Sequence, residues 1–118
     1  MIRAALIVTA LCCAALIAAG ILTAMGNSRP VAYGDAARGE ALIASHGCLA
    51  CHDRGRVGPP LAHIAKRAYI AGRYPNIQIW MIEWIQHPQR LEPGTAMPDL
   101  NIGERDARDM AAYLVTCR

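Results

Sequence analysis

An uncharged apolar run near the N-terminus constrains the fold most, because it sets the first part of the chain apart from the rest. Residues 4–25 are 22 consecutive amino acids without Asp, Glu, Lys or Arg. As an α-helix they would measure about 33 Å, enough to cross a bilayer core of about 30 Å. Arg3 precedes the run, and Arg29 is the first charged residue after it. We therefore predict a transmembrane anchor over residues 1–25, with the C-terminal part of the chain exported.

A cleaved signal peptide is the alternative explanation of this run. Signal peptides normally have an apolar region of about 7–15 residues, and this run is longer, so its length favours a retained anchor. A possible cleavage site is present at Ala24-Met25-Gly26. Both explanations export residues 30–118. Cys12 and Cys13 lie inside the run, where we interpret them as small apolar residues of a membrane helix.

The rest of the chain has the composition of an ordinary small domain. Of 64 hydrophobic residues, 21 lie in residues 1–25, which leaves 43 among the 93 residues from 26 to 118, or about 46%. That proportion excludes a disordered chain, and the length excludes a multi-domain enzyme. We predict a linker over residues 26–34 and one domain over residues 35–118. This domain contains no Phe, so something other than side chains is expected to help fill its core.

Three helical patterns appear in the domain. The first begins at the N-cap residue Asp35 and ends near Gly47. The second covers residues 77–87, with Asn76 as a possible cap and Pro88 as its end. The third begins near Gly103 and has an apolar stripe at helical spacing, formed by Ala107, Met110, Ala111 and Leu114. No segment alternates with a strand period, so the fold class is predicted as all-α, with about three helices and long loops. Such loops in a small domain usually wrap around something.

The motif that carries the chemistry is Cys48-Leu49-Ala50-Cys51-His52. This C-x-x-C-H run is the pattern for covalent heme attachment, in which two thiols bond one heme edge and the histidine becomes an axial iron ligand. A redox disulfide would need a strand–helix context that the sequence lacks. A zinc site would need a second cysteine pair, and Cys117 is the only other cysteine of the exported part.

A candidate for the second axial ligand is Met97, in the segment Pro93-Gly-Thr-Ala-Met-Pro98. A thioether binds low-spin iron well, and a His/Met pair raises the reduction potential. Met97 lies in a Pro-bounded loop, whereas the helical methionines Met81 and Met110 suit core packing. The rival ligands are three histidines that we expect at the surface or at helix ends, namely His46, His63 and His87.

Residues 35–117 resemble the class I c-type cytochromes, and the resemblance assigns roles to further residues. In that family a small residue, here Gly39, lets the first and last helices cross closely, with Tyr113 as its aromatic partner. Gly58-Pro59-Pro60-Leu61 is similar to a family loop in which the carbonyl at Pro59 accepts a hydrogen bond from the proximal histidine. The resemblance also implies that Arg67 lies near a heme propionate and that Trp84 lies close to the methionine sulfur.

A finer resemblance connects the domain with heme domains of bacterial heme-copper oxidases. It rests on Tyr69-Ile-Ala-Gly72, Pro75-Asn76, Trp84-Ile85, Pro88-Gln89 and Thr95-Ala-Met-Pro98. It gives an indication of the partner. With His52 and Met97 both bound, the iron would have no open position, so the chain is expected to be a carrier of single electrons, not an enzyme, with one covalent heme c, anchored by residues 1–25. The expected partners are the membrane and a redox protein such as a heme-copper oxidase or a quinol–cytochrome c reductase, and no nucleic acid. The expected location is the bacterial inner membrane, with the heme domain on the periplasmic side.

Two other functions stay open at this stage. The chain could be the cytochrome subunit of a periplasmic dehydrogenase complex. It could also be a heme enzyme or sensor in which Met97 is labile and the iron binds a small ligand.

Five positive residues and no acidic one occur within residues 54–73, namely Arg54, Arg56, Lys66, Arg67 and Arg73. They form either a solvated loop face or a docking face for an acidic partner. The last cysteine, Cys117, is interpreted as an unpaired thiol at a frayed helix end. An intermolecular disulfide at that position is the alternative.

A buried heme would also explain the missing Phe. It would supply the large aromatic core, and the domain should then not fold stably without it. The apolar side chains expected around the heme are Leu42, Leu61, Trp84, Ile85, Leu100 and Leu114.

Overall fold

The computed structural model describes residues 12–18, 20, 33–53 and 56–118. The chain divides into two units, Met1–Val31 and Ala32–Arg118. In the first unit, residues 12–18 and 20 are helical and exposed. Among the described residues, no helix combines the length and the apolar character needed to cross a bilayer. The anchor predicted over residues 1–25 and the linker over 26–34 fall mostly outside the described residues and stay predictions.

The described part of the second unit is mostly helical. It contains helix α1 (Ala36–Ser45), helix α2 (Leu49–His52), a 3-10 helix (Leu61–Lys66), strands β1 (Tyr69–Ile70) and β2 (Tyr74–Pro75), helix α3 (Gln78–Gln86), helix α4 (Pro88–Leu91) and helix α5 (Glu104–Leu114). Helix α5 packs against both α1 and α3.

The first helical prediction is confirmed at both ends of α1. The side chain of Asp35 accepts a hydrogen bond from the backbone N–H of Arg38 at 3.0 Å, as an N-cap should. The helix ends at Ser45, and Gly47 then adopts a φ of +70°. That conformation suits glycine because it has no Cβ, and it lets the chain turn directly into the C-x-x-C-H segment.

Helices α1 and α5 cross so closely that position 39 has no room for a side chain. A Cβ on Gly39 would lie 1.9 Å from the carbonyl oxygen of Asp109. The predicted apolar stripe of α5 faces this crossing, and Ala107, Met110 and Ala111 are each 0% exposed. Tyr113 lies beside the crossing, with its hydroxyl 3.5 Å from a carboxylate oxygen of Glu40.

The second predicted helix is present, but its start and end differ from the prediction. Helix α3 begins at Gln78 with Ile77 as its cap, so the prediction of Asn76 as the cap is wrong. The Asn76 amide instead donates to the carbonyls of Ile64 and Arg67, at 2.8 Å each. After His87 the chain starts the short helix α4 at Pro88, since proline suits the first position of a helix.

The expectation of no strands is also wrong at one place. Strands β1 and β2 form an antiparallel pair, with Ile70 opposite Tyr74. Between them, Ala71 and Gly72 have positive φ angles of 51° and 69°, and the Arg73 N–H donates to the Ile70 carbonyl at 3.0 Å. Two successive positive φ angles match the twist of a tight hairpin. The sequence lacks the Asn-Gly signal that usually marks such a turn.

A polar network joins the start of α1 to α5. The Asp109 carboxylate accepts from the backbone N–H of Asp35 at 2.8 Å and from the guanidinium of Arg38, which also pairs with Asp106. The Asp35 N–H and then Arg38 lower the pKa of Asp109, whose residue is only 6% exposed. Because the ionised carboxylate holds both partners, its charge favours the folded state.

We expect Asp109→Asn to lower the free energy of unfolding at pH 7. The free energy of unfolding should also change less with pH than it does in the wild type. A carboxyl whose pKa is lowered by folding stabilises the fold above its unfolded pKa, about 3.9. That stabilisation is lost as the pH falls through the lower folded pKa. An Asn at this position would turn its NH2 group towards Arg38 or the Asp35 N–H and lose one of the two partners. The measurement is the free energy of unfolding of the purified protein between pH 7 and pH 3.

Glu104→Gln is the matched control, because Glu104 is an exposed residue of the same helix, paired only at the surface with Arg108. It should change stability little at any of these pH values. An Asp109→Asn protein with the same acid dependence as the wild type would contradict the role given to the carboxylate.

Candidate functional site

A cavity of about 410 Å³ lies between the helices and the long loops. Its volume falls within the range of about 300–1,000 Å³ that is usual for ligand and cofactor sites. One side is lined by helical side chains, including Ile43 of α1, Ile85 of α3 and Leu114 of α5. Mainly apolar side chains from the hairpin and from the loops on either side of α3 and α4 line the rest.

All seven residues that the sequence singled out line this one cavity. They are Cys48, Cys51, His52, Pro59, Arg67, Trp84 and Met97. Residues 48 and 97 are far apart in the chain, so the fold alone brings the cysteine–histidine motif and the Met97 loop to the same space. Of the six apolar residues expected around a heme, five line the cavity, and Leu42 packs against the core instead.

Helix α2 positions the C-x-x-C-H motif. Cys48 precedes the helix and Cys51 and His52 belong to its single turn, so the two cysteines, three residues apart, lie on one face. Both thiols are free of disulfide bonds. Burial raises the pKa of the half-buried Cys48 thiol, which favours its protonated form.

One hydrogen bond selects the tautomer of the neutral His52 ring. Its Nδ1 lies 2.8 Å from the carbonyl oxygen of Pro59. A carbonyl can only accept, so Nδ1 carries the proton and donates it. In the neutral ring Nε2 is then left with its lone pair, which is the state that binds a metal.

Gly58 brings the loop close enough for this contact. A Cβ on Gly58 would lie 2.4 Å from Cε1 and 2.6 Å from Nδ1 of His52, much closer than atoms can approach. The Gly58 N–H also donates to the Cys51 carbonyl at 3.1 Å. Any larger residue at position 58 would have to displace the imidazole ring or the loop.

Met97 is half-buried at the cavity wall, but two other methionines also reach it. Met81 of α3 is 5% exposed and Met110 of α5 is 0% exposed, and both belong to the hydrophobic core. Their burial agrees with the core-packing role expected from the sequence. Of the three thioethers, that of Met97 lies on a loop. Its side chain could therefore move without disturbing the hydrophobic core, to which Met97 does not belong.

The rival histidines have different positions. His46 lines the cavity, but its Nδ1 lies 3.0 Å from the Leu42 carbonyl of its own helix, and the residue is exposed. His63 and His87 are exposed and lie outside the cavity lining.

Two side-chain amides hold the loops of the site, in roles that the sequence did not indicate. Asn76 donates to the carbonyls of Ile64 and Arg67, which fixes the segment that carries Arg67 at the cavity. Gln89 donates to the carbonyls of Thr95 and Met97, at 2.7 Å and 2.8 Å. Only Pro-Asn and Pro-Gln pairs beside the predicted loops could have suggested these residues.

The C-terminus is better held than the sequence suggested. The carbonyl of Cys117 accepts a hydrogen bond from the Ala65 N–H at 3.0 Å, and its half-buried side chain packs against the core. The expected fraying at this position is therefore wrong, and the Cys117 thiol donates to the Tyr113 carbonyl at 3.7 Å.

Comparison with known proteins agrees with the geometry of this site. Residues 36–118 match the family model described as cytochrome c. Subunit 2 of cytochrome c oxidase from Alkalihalophilus pseudofirmus is 31% identical over 82 residues, which cover 65% of this chain and 24% of that relative. The chain thus spans about a quarter of the length of the curated relative it matches. No solved structure matches the chain significantly.

The family match covers well over half of the chain, and it includes the whole cavity lining. A cytochrome c domain indicates heme c as the cofactor and electron transfer as the activity. This chain belongs to the cytochrome c family.

Proposed function

We propose that this chain is a membrane-anchored monoheme c-type cytochrome that carries single electrons in a respiratory chain, to or within a terminal oxidase complex. The observation that supports it most is the convergence of Cys48, Cys51, His52 and Met97 on one apolar cavity. Three kinds of donor meet there, two thiols, an imidazole nitrogen and a thioether. This set would suit a covalently attached heme c held by a histidine and a methionine.

The residues present fit a heme held at this position. Cys48 and Cys51 would form the two thioether bonds, and His52 and Met97 would be the axial ligands. The protonated Nδ1 of His52 supports this assignment, because it leaves Nε2 free for iron. When bound, the heme supplies a one-electron couple between ferrous and ferric iron.

The protein's own contribution is to enclose and orient this group. If His52 and Met97 both held the iron, they would leave no position open to a substrate, which favours an electron carrier over an enzyme. Ile43, Ile85 and Leu114 line the cavity with apolar side chains, which would keep water away from the bound group. Arg67 is exposed at the cavity and would place a guanidinium where a heme propionate needs a partner.

Separate observations support the proposed redox partner and the proposed cellular location of this chain. The relative from Alkalihalophilus pseudofirmus is named as a subunit of cytochrome c oxidase, which supports an oxidase as partner. The uncharged run of residues 4–25 after Arg3 supports an anchor in the bacterial inner membrane, with the heme domain on the periplasmic side. Tethering would raise the concentration of the carrier near membrane-bound partners.

We expect Gly58→Ala to reduce the yield of heme-loaded protein by about 10-fold or more, the range seen when partners of metal ligands are disturbed. The added methyl group would collide with the His52 ring and break its bond to the Pro59 carbonyl. The measurement is the ratio of heme absorbance to polypeptide after purification. Gly103→Ala is the control, since a Cβ there has no neighbour within 4 Å. Equal heme content in both variants would show that the close contact at Gly58 is unimportant.

The ligand assignment predicts that Met97→Ala loses the weak near-red absorption band that a thioether gives ferric iron. Met81→Leu is the matched control, because Met81 also lines the cavity but lies in the buried core. It should keep the band. The measurement is the ferric spectrum of each purified protein. Persistence of the band in Met97→Ala, or its loss in Met81→Leu alone, would assign the ligand elsewhere.

The positive residues within residues 54–73 should affect the rate of electron transfer with charged partners. Arg56 and Lys66 are exposed, whereas Arg73 pairs with Glu92 at 3.3 Å and Arg54 lies outside the described residues. We expect Arg56→Glu with Lys66→Glu to slow oxidation by the anion ferricyanide several-fold at low salt, because attraction becomes repulsion. Oxidation by a cationic cobalt complex should become faster. Both changes should shrink as the salt concentration rises.

A double variant on α5, Arg105→Glu with Arg108→Glu, is the control for net charge. It changes the charge of the protein by the same amount on α5, whereas Arg56 and Lys66 each adjoin a residue of the cavity lining in the chain, Val57 and Arg67. If it alters both rates as much as the Arg56 and Lys66 variant does, only the total charge matters and the docking face is wrong.

A further inference from the structure

Gln89 makes an unusual number of contacts with the loop that carries Met97. Its amide nitrogen donates to the carbonyls of Thr95 and Met97, at 2.7 Å and 2.8 Å. Its amide oxygen accepts from the Gly94 N–H at 3.2 Å. Its own backbone N–H donates to the Asp99 carboxylate at 3.3 Å, just beyond the loop. Gln89 thus forms hydrogen bonds with the loop near its start, at Met97 and just beyond its end.

The loop depends on such contacts because it is not part of a helix or strand. Helix α4 ends at Leu91, and Gly94 then takes a φ of +84°. The Thr95 N–H donates to the Glu92 carbonyl at 3.1 Å, which closes the turn before Met97. The carbonyls of Thr95 and Met97 both face the Gln89 amide. The direction of the Met97 backbone, and with it the side chain, is therefore set by that amide.

We propose that Gln89 is a positioning residue for Met97, and that it determines how firmly the Met97 thioether holds its place in the cavity against a competing ligand. The inference rests on the proposed function, in which Met97 is an axial ligand. Gln89 lies outside the cavity lining, so it acts through the loop and does not touch the heme site.

The chemistry of the side chain matters as well as its size. A neutral amide offers two N–H donors on one atom and an acceptor on the other, which matches two carbonyls and one N–H. A glutamate of the same shape keeps the acceptor but has no donors when ionised. It would turn a negative charge towards the carbonyls of Thr95 and Met97, and it would regain one donor when protonated.

The test is the competition between Met97 and added imidazole in the ferric, heme-loaded protein, followed through the near-red band. Loss of two hydrogen bonds should raise the apparent affinity of Gln89→Ala for imidazole by about 10-fold. Gln89→Glu should show a weaker band than the wild type at pH 7.

Gln86→Ala is the matched control. Gln86 is another half-buried amide, and it donates at 3.3 Å to the carbonyl of Ile102, outside the Met97 loop. It should keep the imidazole affinity of the wild type. An unchanged affinity in Gln89→Ala, or an equal rise in Gln86→Ala, would overturn the inference. Should Gln89→Ala fail to fold, a Gln89→Glu protein with the wild-type band at pH 7 would overturn it.

The ligand role of Met97 and the positioning role of Gln89 are contradicted by different results. A wild-type protein with heme but without the near-red band would contradict Met97 as a ligand, and the role of Gln89 would fall with it. A wild-type protein with the band, beside a Gln89→Ala protein of unchanged affinity, would contradict the role of Gln89 alone.

Discussion

The close crossing of helices α1 and α5 is the constraint on which the rest of the domain depends. The two backbones approach so closely at Gly39 that an added Cβ would lie 1.9 Å from the Asp109 carbonyl oxygen. This approach buries Met110 and Leu114 of α5 beside Ile43 of α1, and these side chains form one wall of the cavity. The position of that wall is therefore set by the absence of a side chain.

The other walls are loops, and polar side chains determine their shape. Loops have few backbone hydrogen bonds of their own, so their carbonyl groups must find other partners. Here His52 donates to Pro59, Asn76 to Ile64 and Arg67, and Gln89 to Thr95 and Met97. Each of these contacts also places a residue of the candidate site. The same hydrogen bonds that stabilise the loops thus organise the proposed ligands.

Much of this architecture could be predicted from the sequence, because its signals are local. The cap at Asp35 and the apolar stripe of α5 mark their helices without reference to the rest of the chain. The C-x-x-C-H spacing likewise defines its chemistry within five residues. The seven candidate site residues were predicted in this way, or by resemblance to a family whose motifs are equally local.

The sequence did not indicate the features that depend on distant partners. Asn76 is a residue type that often caps helices. Its side-chain amide instead donates hydrogen bonds to two backbone carbonyls, 9 and 12 residues away in the chain. The hairpin turn has Ala71 in a left-handed conformation that its sequence does not favour. The role of Gln89 becomes visible only in the fold, where its amide donates to carbonyls of the Met97 loop. Contacts with other segments of the chain thus decide the roles of Asn76 and Gln89.

The most direct test of the central claim is the intact mass of the purified chain under denaturing conditions. Covalent attachment through Cys48 and Cys51 predicts the mass of the polypeptide plus one heme, with both thiols unavailable to an alkylating reagent. Replacing both cysteines by serine should remove the added mass. A chain that has the mass of the polypeptide alone, with both thiols open to alkylation, would contradict the account.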